Sequence, residues 1–74
     1  MKRHRLGTWS MPSGNSVDVD VIGEGSLRQI AFFWDRLPLT IGDEVFYETV
    51  ILPAVIRRSS EYLELVGPAL VVVA

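Results

Sequence analysis

A pair of carboxylates is the first feature of this sequence whose residue types and spacing could support chemistry. Asp18 and Asp20 alternate with valines, so they share one face of a predicted strand, about 6.5 to 7 Å apart. Paired carboxylates can bind a hard cation or act as acid and base in glycoside hydrolysis. No glycine-spaced acidic loop of the calcium-binding type accompanies them. The alternation therefore favours the solvent side of a half-buried strand over a metal or catalytic site.

The other candidate residues lack the partners that catalysis or cofactor binding requires. His4 is the only histidine, so neither a histidine metal site nor a serine–histidine–aspartate triad can assemble within one chain. Gly23 and Gly25 lack the third glycine and the following helix of a dinucleotide-binding loop, and are typical of a hairpin turn. The absence of cysteine excludes disulfides and thiolate zinc sites. We predict no enzymatic activity and no cofactor for a single chain.

A composite site at a subunit boundary is the one catalytic arrangement that the sequence leaves open. Asp35 and Arg36 follow a predicted strand, while Tyr47 and Glu48 lie within a predicted helix. An oligomer could bring these four side chains together, although their types alone do not define a reaction.

The N-terminus carries a basic segment that could bind nucleic acid or a partner protein. Lys2, Arg3, His4 and Arg5 precede Trp9, and cations beside stacking aromatics are typical of nucleic-acid binding. Three of the seven lysine and arginine residues lie in this segment. The rest of the chain contains the other four together with nine carboxylates, so it is acidic. Because so acidic a body repels phosphate backbones, the composition favours a protein partner over nucleic acid for this basic arm.

The first half of the sequence predicts a three-stranded antiparallel meander over residues 5–11, 16–22 and 27–34. A two-residue loop at Glu24-Gly25 would pair Val19 with Ile30, and a three-residue loop over residues 13–15 would pair Trp9 with Val19. These loops place the large apolar side chains on one face of the sheet. That face comprises Val17, Val19, Val21, Ile30, Phe32 and Trp34.

The second half predicts helix over residues 41–52 and 53–66 and a final strand over residues 69–73. Thr40 with an acid at Asp43 is typical of a helix N-terminus. Pro53 fits a first helical position, so we expect a kink or break there. The predicted inner face of the second helix comprises Val55, Ile56, Ser59, Tyr62, Leu63 and Val66.

The β-branched and aromatic residues of the first helical segment leave an alternative open. Strands over residues 45–52 and 62–66 would give an all-β small barrel instead. We favour an α+β fold, in which a small antiparallel sheet, the meander plus the C-terminal strand, packs against one kinked or broken helix. Its 74 residues form one domain.

Surplus apolar surface is the strongest functional signal in the sequence. Hydrophobic residues make up 49% of a chain of 74 residues, which is too small to bury a helix that is apolar all round. Without disulfides or zinc, self-association is the remaining way to stabilise such a domain. We predict an interface or pocket formed by Trp9, Phe33, Trp34, Phe46, Tyr47 and Val50.

These observations predict a non-enzymatic, homo-oligomeric interaction module. The alternative is a domain that binds a peptide or a small apolar ligand in an aromatic pocket at the subunit seam. No apolar stretch reaches the 18 to 20 residues, roughly, that span a bilayer, and no apolar signal core follows the basic N-terminus. We therefore predict a cytoplasmic protein without a membrane partner.

Overall fold

A computed structural model describes residues 3–24, 27–63 and 70–73, with side chains described for residues 3–24 and 27–60. The strands are β1 (Arg3–Ser10), β2 (Ser16–Ile22), β3 (Gln29–Trp34) and β4 (Leu70–Val73). Between β3 and β4, the helical segment comprises α1 (Ile41–Phe46), a π segment (Tyr47–Ile51) and α2 (Leu52–Leu63). The predicted end of the second helix at Val66 lies outside the described residues.

The strands form one open sheet in the order β1-β2-β3-β4, which confirms the α+β fold and rules out the barrel alternative. β1 and β3 are both antiparallel to β2. β4 is parallel to β3, with Phe32 opposite Val72, so the sheet is mixed rather than wholly antiparallel. The helical segment explains this direction, because it is the crossover connection that parallel neighbours require.

The register between β2 and β3 differs from the predicted one by two residues. Val19 pairs with Phe32 rather than with Ile30, because the connection covers residues 23–28 and is longer than a two-residue turn. Gly23 has a φ of +92°, which a residue with a side chain rarely adopts. An even shift keeps every side chain on its predicted face, since strand side chains alternate with a period of two.

β1 is irregular in its middle. Trp9 pairs with Val17 rather than with Val19, and the register shifts between Arg5 and Gly7. Leu6 lies at this bulge, and its buried side chain joins the core. A Cβ at Gly7 would lie 2.7 Å from Arg58 Nη1 and 2.7 Å from the Trp9 ring, so a larger residue would displace both side chains.

The helical segment begins as predicted and changes its winding before the proline. The Thr40 hydroxyl accepts a hydrogen bond from the Asp43 backbone N–H at 3.0 Å. In the π segment, the Leu52 backbone N–H donates to the Tyr47 carbonyl, five residues earlier. The wider turn precedes Pro53, which has no N–H to donate. Residues 41–52 are therefore helical, and the helix continues through the π segment into α2.

The core lies between the predicted apolar face of the sheet and the inner side of the helical segment. Phe32, Val17 and Val19 are fully buried, and they pack with Ile51 and Val55. The sequence wrongly placed Ile56 on this inner side, since its side chain is exposed and Ala54 is buried instead. Ala54 and Ile56 lie on either side of Val55 around α2, each about 100° away, so their apolar type alone did not show which of them faces the core. The further core residues are Leu6, Met11, Val21, Ile30 and Trp34.

Candidate functional site

The carboxylate pair of β2 lies in an ion-pair cluster on the sheet face opposite the helix. Asp20 is fully buried, and its two carboxylate oxygens accept hydrogen bonds from Nε of Arg3 and Nε of Arg5. Asp18 lies 3.6 Å from Arg5 Nη1 and accepts a hydrogen bond from Thr8 Oγ1 at 2.8 Å. The expectation of a solvated face is therefore wrong for Asp20. Two arginines use the acceptor oxygens that a metal ion or a substrate would need.

Two opposing effects act on the pKa of Asp20. Burial alone raises the pKa of the carboxyl, but the hydrogen bonds from Arg5 and Arg3 outweigh burial and hold it below its ordinary value of 3.8. The Asp20 carboxyl therefore binds a proton more weakly in the folded state than in the unfolded state. The stability that Asp20 contributes is fully present above pH 3.8 and is lost as the pH falls through the lower folded-state pKa.

We expect the Asp20→Asn variant to lose less of its stability on acidification than the wild-type chain. The asparagine has no charge to lose, so its contribution does not change between pH 7 and pH 3. Thermal unfolding of both chains at the two pH values measures this difference. Asp18→Asn, whose carboxyl is partly exposed, is the matched control. Equal decreases in the Tm of the wild-type and Asp20→Asn chains would contradict the role assigned to Asp20.

The predicted basic arm is part of the sheet over the residues that are described. Arg3, His4 and Arg5 belong to β1, whereas Lys2 lies outside the described residues. The guanidinium carbon of Arg3 lies 4.6 Å from the centre of the Phe33 ring, which is half-buried. The guanidinium groups of Arg3 and Arg5, which the sequence predicted to bind an external partner, thus interact with Asp20 and, for Arg3, with the Phe33 ring. The side chain of His4 is exposed.

Trp9 contacts the C-terminal half of the helical segment. The guanidinium carbon of Arg58 lies 5.1 Å from its ring centre, and Arg58 Nη1 donates to the Leu6 carbonyl at 3.1 Å. Trp9 therefore forms part of the contact between β1 and α2.

Three aromatic rings meet where the end of β3 faces the π segment. Phe32 stacks on Trp34 with 5.9 Å between ring centres, and the Tyr47 ring lies 5.5 Å from that of Trp34. Trp34 is buried, Tyr47 is half-buried, and the indole Nε1 of Trp34 has no hydrogen-bond acceptor among the described residues. A buried donor without an acceptor costs about 1–3 kcal/mol, so it is unusual in a folded domain.

An open cleft of about 410 Å³ lies beside these rings. Three residues that the sequence singled out line this aromatic cleft: Trp34 and Tyr47, predicted for a pocket, and Glu48, predicted for the composite site. Burial and the negative charge of Glu48 both raise the pKa of Tyr47 above its ordinary value of 10.0, so its phenol is neutral at pH 7. The lining residues are Trp34, Leu37, Leu39, Glu44, Tyr47 and Glu48.

The four residues of the proposed composite site are divided between two places. Tyr47 and Glu48 line the aromatic cleft, whereas Asp35 and Arg36 are exposed and form a weak ion pair at 3.9 Å. The backbone of Arg36 is held by the buried Asn15, whose Oδ1 accepts from the Arg36 N–H at 2.8 Å. This bond fixes the start of the loop that forms one wall of the cleft.

Asp43 holds the other wall and was not recognised as a buried residue from the sequence. Its carboxylate is fully buried and accepts hydrogen bonds from the Ser13 hydroxyl at 2.6 Å and from the Ser13 backbone N–H at 3.1 Å. The side-chain bond from Ser13 lowers the pKa of Asp43 despite its burial. The turn between β1 and β2 is thereby joined to the start of the helix. The helix-start pattern was visible in the sequence, but the partner 30 residues away was not.

The outward side of the helical segment carries large apolar side chains. We call this surface, formed by Ile41, Val45, Val50 and Ile56, the helix outer face. These side chains are 81%, 54%, 42% and 63% exposed, respectively. Val50 was predicted as an interface residue, whereas Phe46 packs partly buried against the core. Several large exposed apolar side chains on one helical segment are typical of a binding surface.

Comparison with known protein families, with curated proteins and with solved structures finds no significant match to this chain. Within residues 3–24, 27–63 and 70–73, no helix combines the length and apolar character needed to cross a membrane. The same residues contain no group of three or more histidine, aspartate or glutamate side chains arranged to hold a metal ion.

Proposed function

We propose that this chain is a non-enzymatic module that self-associates through the helix outer face. The exposure of Ile41, Val45 and Ile56 along the outward side of one helical segment is the observation that carries the proposal. Each Val or Ile side chain that leaves water on association stabilises the complex by about 1.5 to 3 kcal/mol when its burial is complete. The apolar face of the sheet and the inner side of the helical segment bury one another in the core. The helix outer face is not part of this contact, so its apolar side chains are available to bind a partner.

A second copy of this chain is the partner that fits this surface best. Two copies related by a twofold axis use the same patch twice, so one apolar face on each is sufficient. Small domains without disulfides or metals often gain stability from such association, and this chain contains no cysteine.

Single-cysteine variants test whether the helix outer face is covered in solution. The wild-type chain has no cysteine, so Ile56→Cys carries one thiol at a site that is 63% exposed in a single copy. We expect the rate of its alkylation by iodoacetamide to decrease severalfold as protein concentration rises, because association buries the thiol.

Leu27→Cys is the matched control for this experiment. Leu27 is an equally large apolar residue, 78% exposed, but it lies in the connection between β2 and β3. Its alkylation rate should not depend on protein concentration. An Ile56→Cys rate that is also independent of concentration would contradict self-association through the helix outer face.

Small-ligand binding is the second candidate function, and the aromatic cleft is the observation that favours it. Nucleic-acid or partner-protein binding through Lys2, Arg3, His4 and Arg5 stays a prediction, which deletion of residues 2–5 would test. The ion pairs of Arg3 and Arg5 with Asp20 reduce the charge available to an external partner. The cytoplasmic location likewise stays a prediction from the sequence.

A further inference from the structure

We propose that the aromatic cleft binds a small organic cation, meaning a quaternary ammonium or protonated amine with a short apolar body. This inference is independent of self-association and rests on the second candidate function, small-ligand binding in the aromatic cleft, for which it defines the chemistry of the ligand. It is carried by the aromatic rings, the two carboxylates and the size of the cleft.

The aromatic rings supply the first part of the recognition. Trp34 and Tyr47 both line the cleft, with 5.5 Å between their ring centres and an angle of 59° between their planes. Electron-rich rings set at an angle present more than one surface to a bound group. Such rings attract ammonium groups, and quaternary ammonium ligands are commonly held by aromatic side chains.

The carboxylates supply the second part. Glu44 and Glu48 lie one helical turn apart on the same wall of the cleft, and both side chains are exposed. Among the residues whose side chains are described, no arginine, lysine or histidine forms an ion pair with either glutamate. Their like charges repel one another, so a cation placed between them relieves this repulsion as well as being attracted.

The size and walls of the cleft define the class of ligand. A volume of about 410 Å³ accommodates a small organic molecule, and Leu37 and Leu39 offer apolar contact to its body. A bare metal ion would gain nothing from those leucines.

Choline and its neutral isostere 3,3-dimethyl-1-butanol form the decisive pair of probes, because they differ in charge and hardly in shape. The binding is followed by proton NMR. The chain contains two tryptophans, so its NMR spectrum contains two indole N–H resonances, and the Trp9→Phe variant shows which of them belongs to Trp34. We expect choline to move the Trp34 resonance of the wild-type chain in a saturable manner. The neutral isostere should bind at least about fivefold more weakly.

Matched glutamate variants locate the site. Glu44→Gln and Glu48→Gln should each weaken choline binding by about threefold to fivefold, because each removes one charge beside the ligand. Glu24→Gln is the control, since Glu24 is exposed and follows β2 at the end of the β2–β3 hairpin opposite Trp34. Its choline affinity should equal that of the wild-type chain.

Three results would overturn the proposal. They are a Trp34 resonance that does not respond to choline, an equal response to both probes, and an unchanged affinity in both cleft variants. Ile56→Glu, whose substitution lies outside the lining of the cleft, separates this site from self-association. It should bind choline as the wild-type chain does, and loss of binding there would overturn the assignment to a single-chain cleft.

Discussion

Replacing Phe32 by alanine is expected to lower the free energy of unfolding by about 4 kcal/mol. The ring is fully buried, stacks on Trp34 and meets Tyr47 edge-on at 5.6 Å, so its loss leaves a cavity at the centre of the core. A domain of this length has a total stability of about 4 to 11 kcal/mol. The variant should therefore keep only about 0 to 7 kcal/mol of this stability, and urea denaturation followed by circular dichroism would measure the loss.

Phe33→Ala is the matched control, because it makes the same change one residue further along β3. Phe33 lies on the opposite face of the sheet, half-buried beneath the Arg3 guanidinium. Its replacement should cost about 1 kcal/mol, from the cation–π contact and partial burial together. Equal losses in the two variants would contradict the assignment of the sheet faces.

The second large effect concerns association. Ile56→Glu should raise the dissociation constant of the oligomer at least about 100-fold, because each copy would have to bury an unpaired carboxylate in an apolar contact. The residue is exposed in a single copy, so the fold itself should tolerate the charge. Size-exclusion chromatography with light scattering, repeated over a series of protein concentrations, measures the change.

Leu27→Glu controls for the general effect of adding a charge to an exposed apolar position. Leu27 is even more exposed than Ile56 but lies outside the helix outer face. Its dissociation constant should stay within about twofold of the wild-type value, since surface substitutions outside an interface have small effects. A similar increase in both variants would show that net charge, and not the helix outer face, governs association.

Much of the fold was predictable because hydrophobic alternation reports the face of each strand residue. The buried side of β2 and β3 follows directly from the alternation of Val17 and Val19 with aspartates. The two-residue error in register did not disturb it, since an even shift conserves the faces. The helix beginning at Ile41 was predictable from Thr40 and Asp43, whose capping hydrogen bond forms as expected.

The remaining features depend on contacts between distant residues, which local patterns do not encode. The burial of Asp20 depends on Arg5, which lies opposite it in β1, and on Arg3, which lies opposite Ile22 and also donates to the Asp20 carboxylate. The exposure of Ile56 was missed because apolar residues lie on both sides of Val55 in α2, and only packing against the sheet shows that Ala54 is the buried one.

The aromatic cleft was predictable in part. Trp34, Tyr47 and Glu48 were singled out because aromatic and charged residues commonly form sites, and all three line it. Phe33 and Val50 lie elsewhere, because their side chains point away from the end of β3 where the rings meet. Leu37 and Leu39 were not singled out, since a loop gives no periodic pattern from which side-chain direction can be inferred.

Sedimentation equilibrium of the wild-type chain at micromolar concentration tests the central claim most directly. The chain has a mass of 8.3 kDa. Self-association through the helix outer face predicts an average mass that rises with concentration toward a whole multiple of this value. A single species of 8.3 kDa at all concentrations would contradict the proposed function.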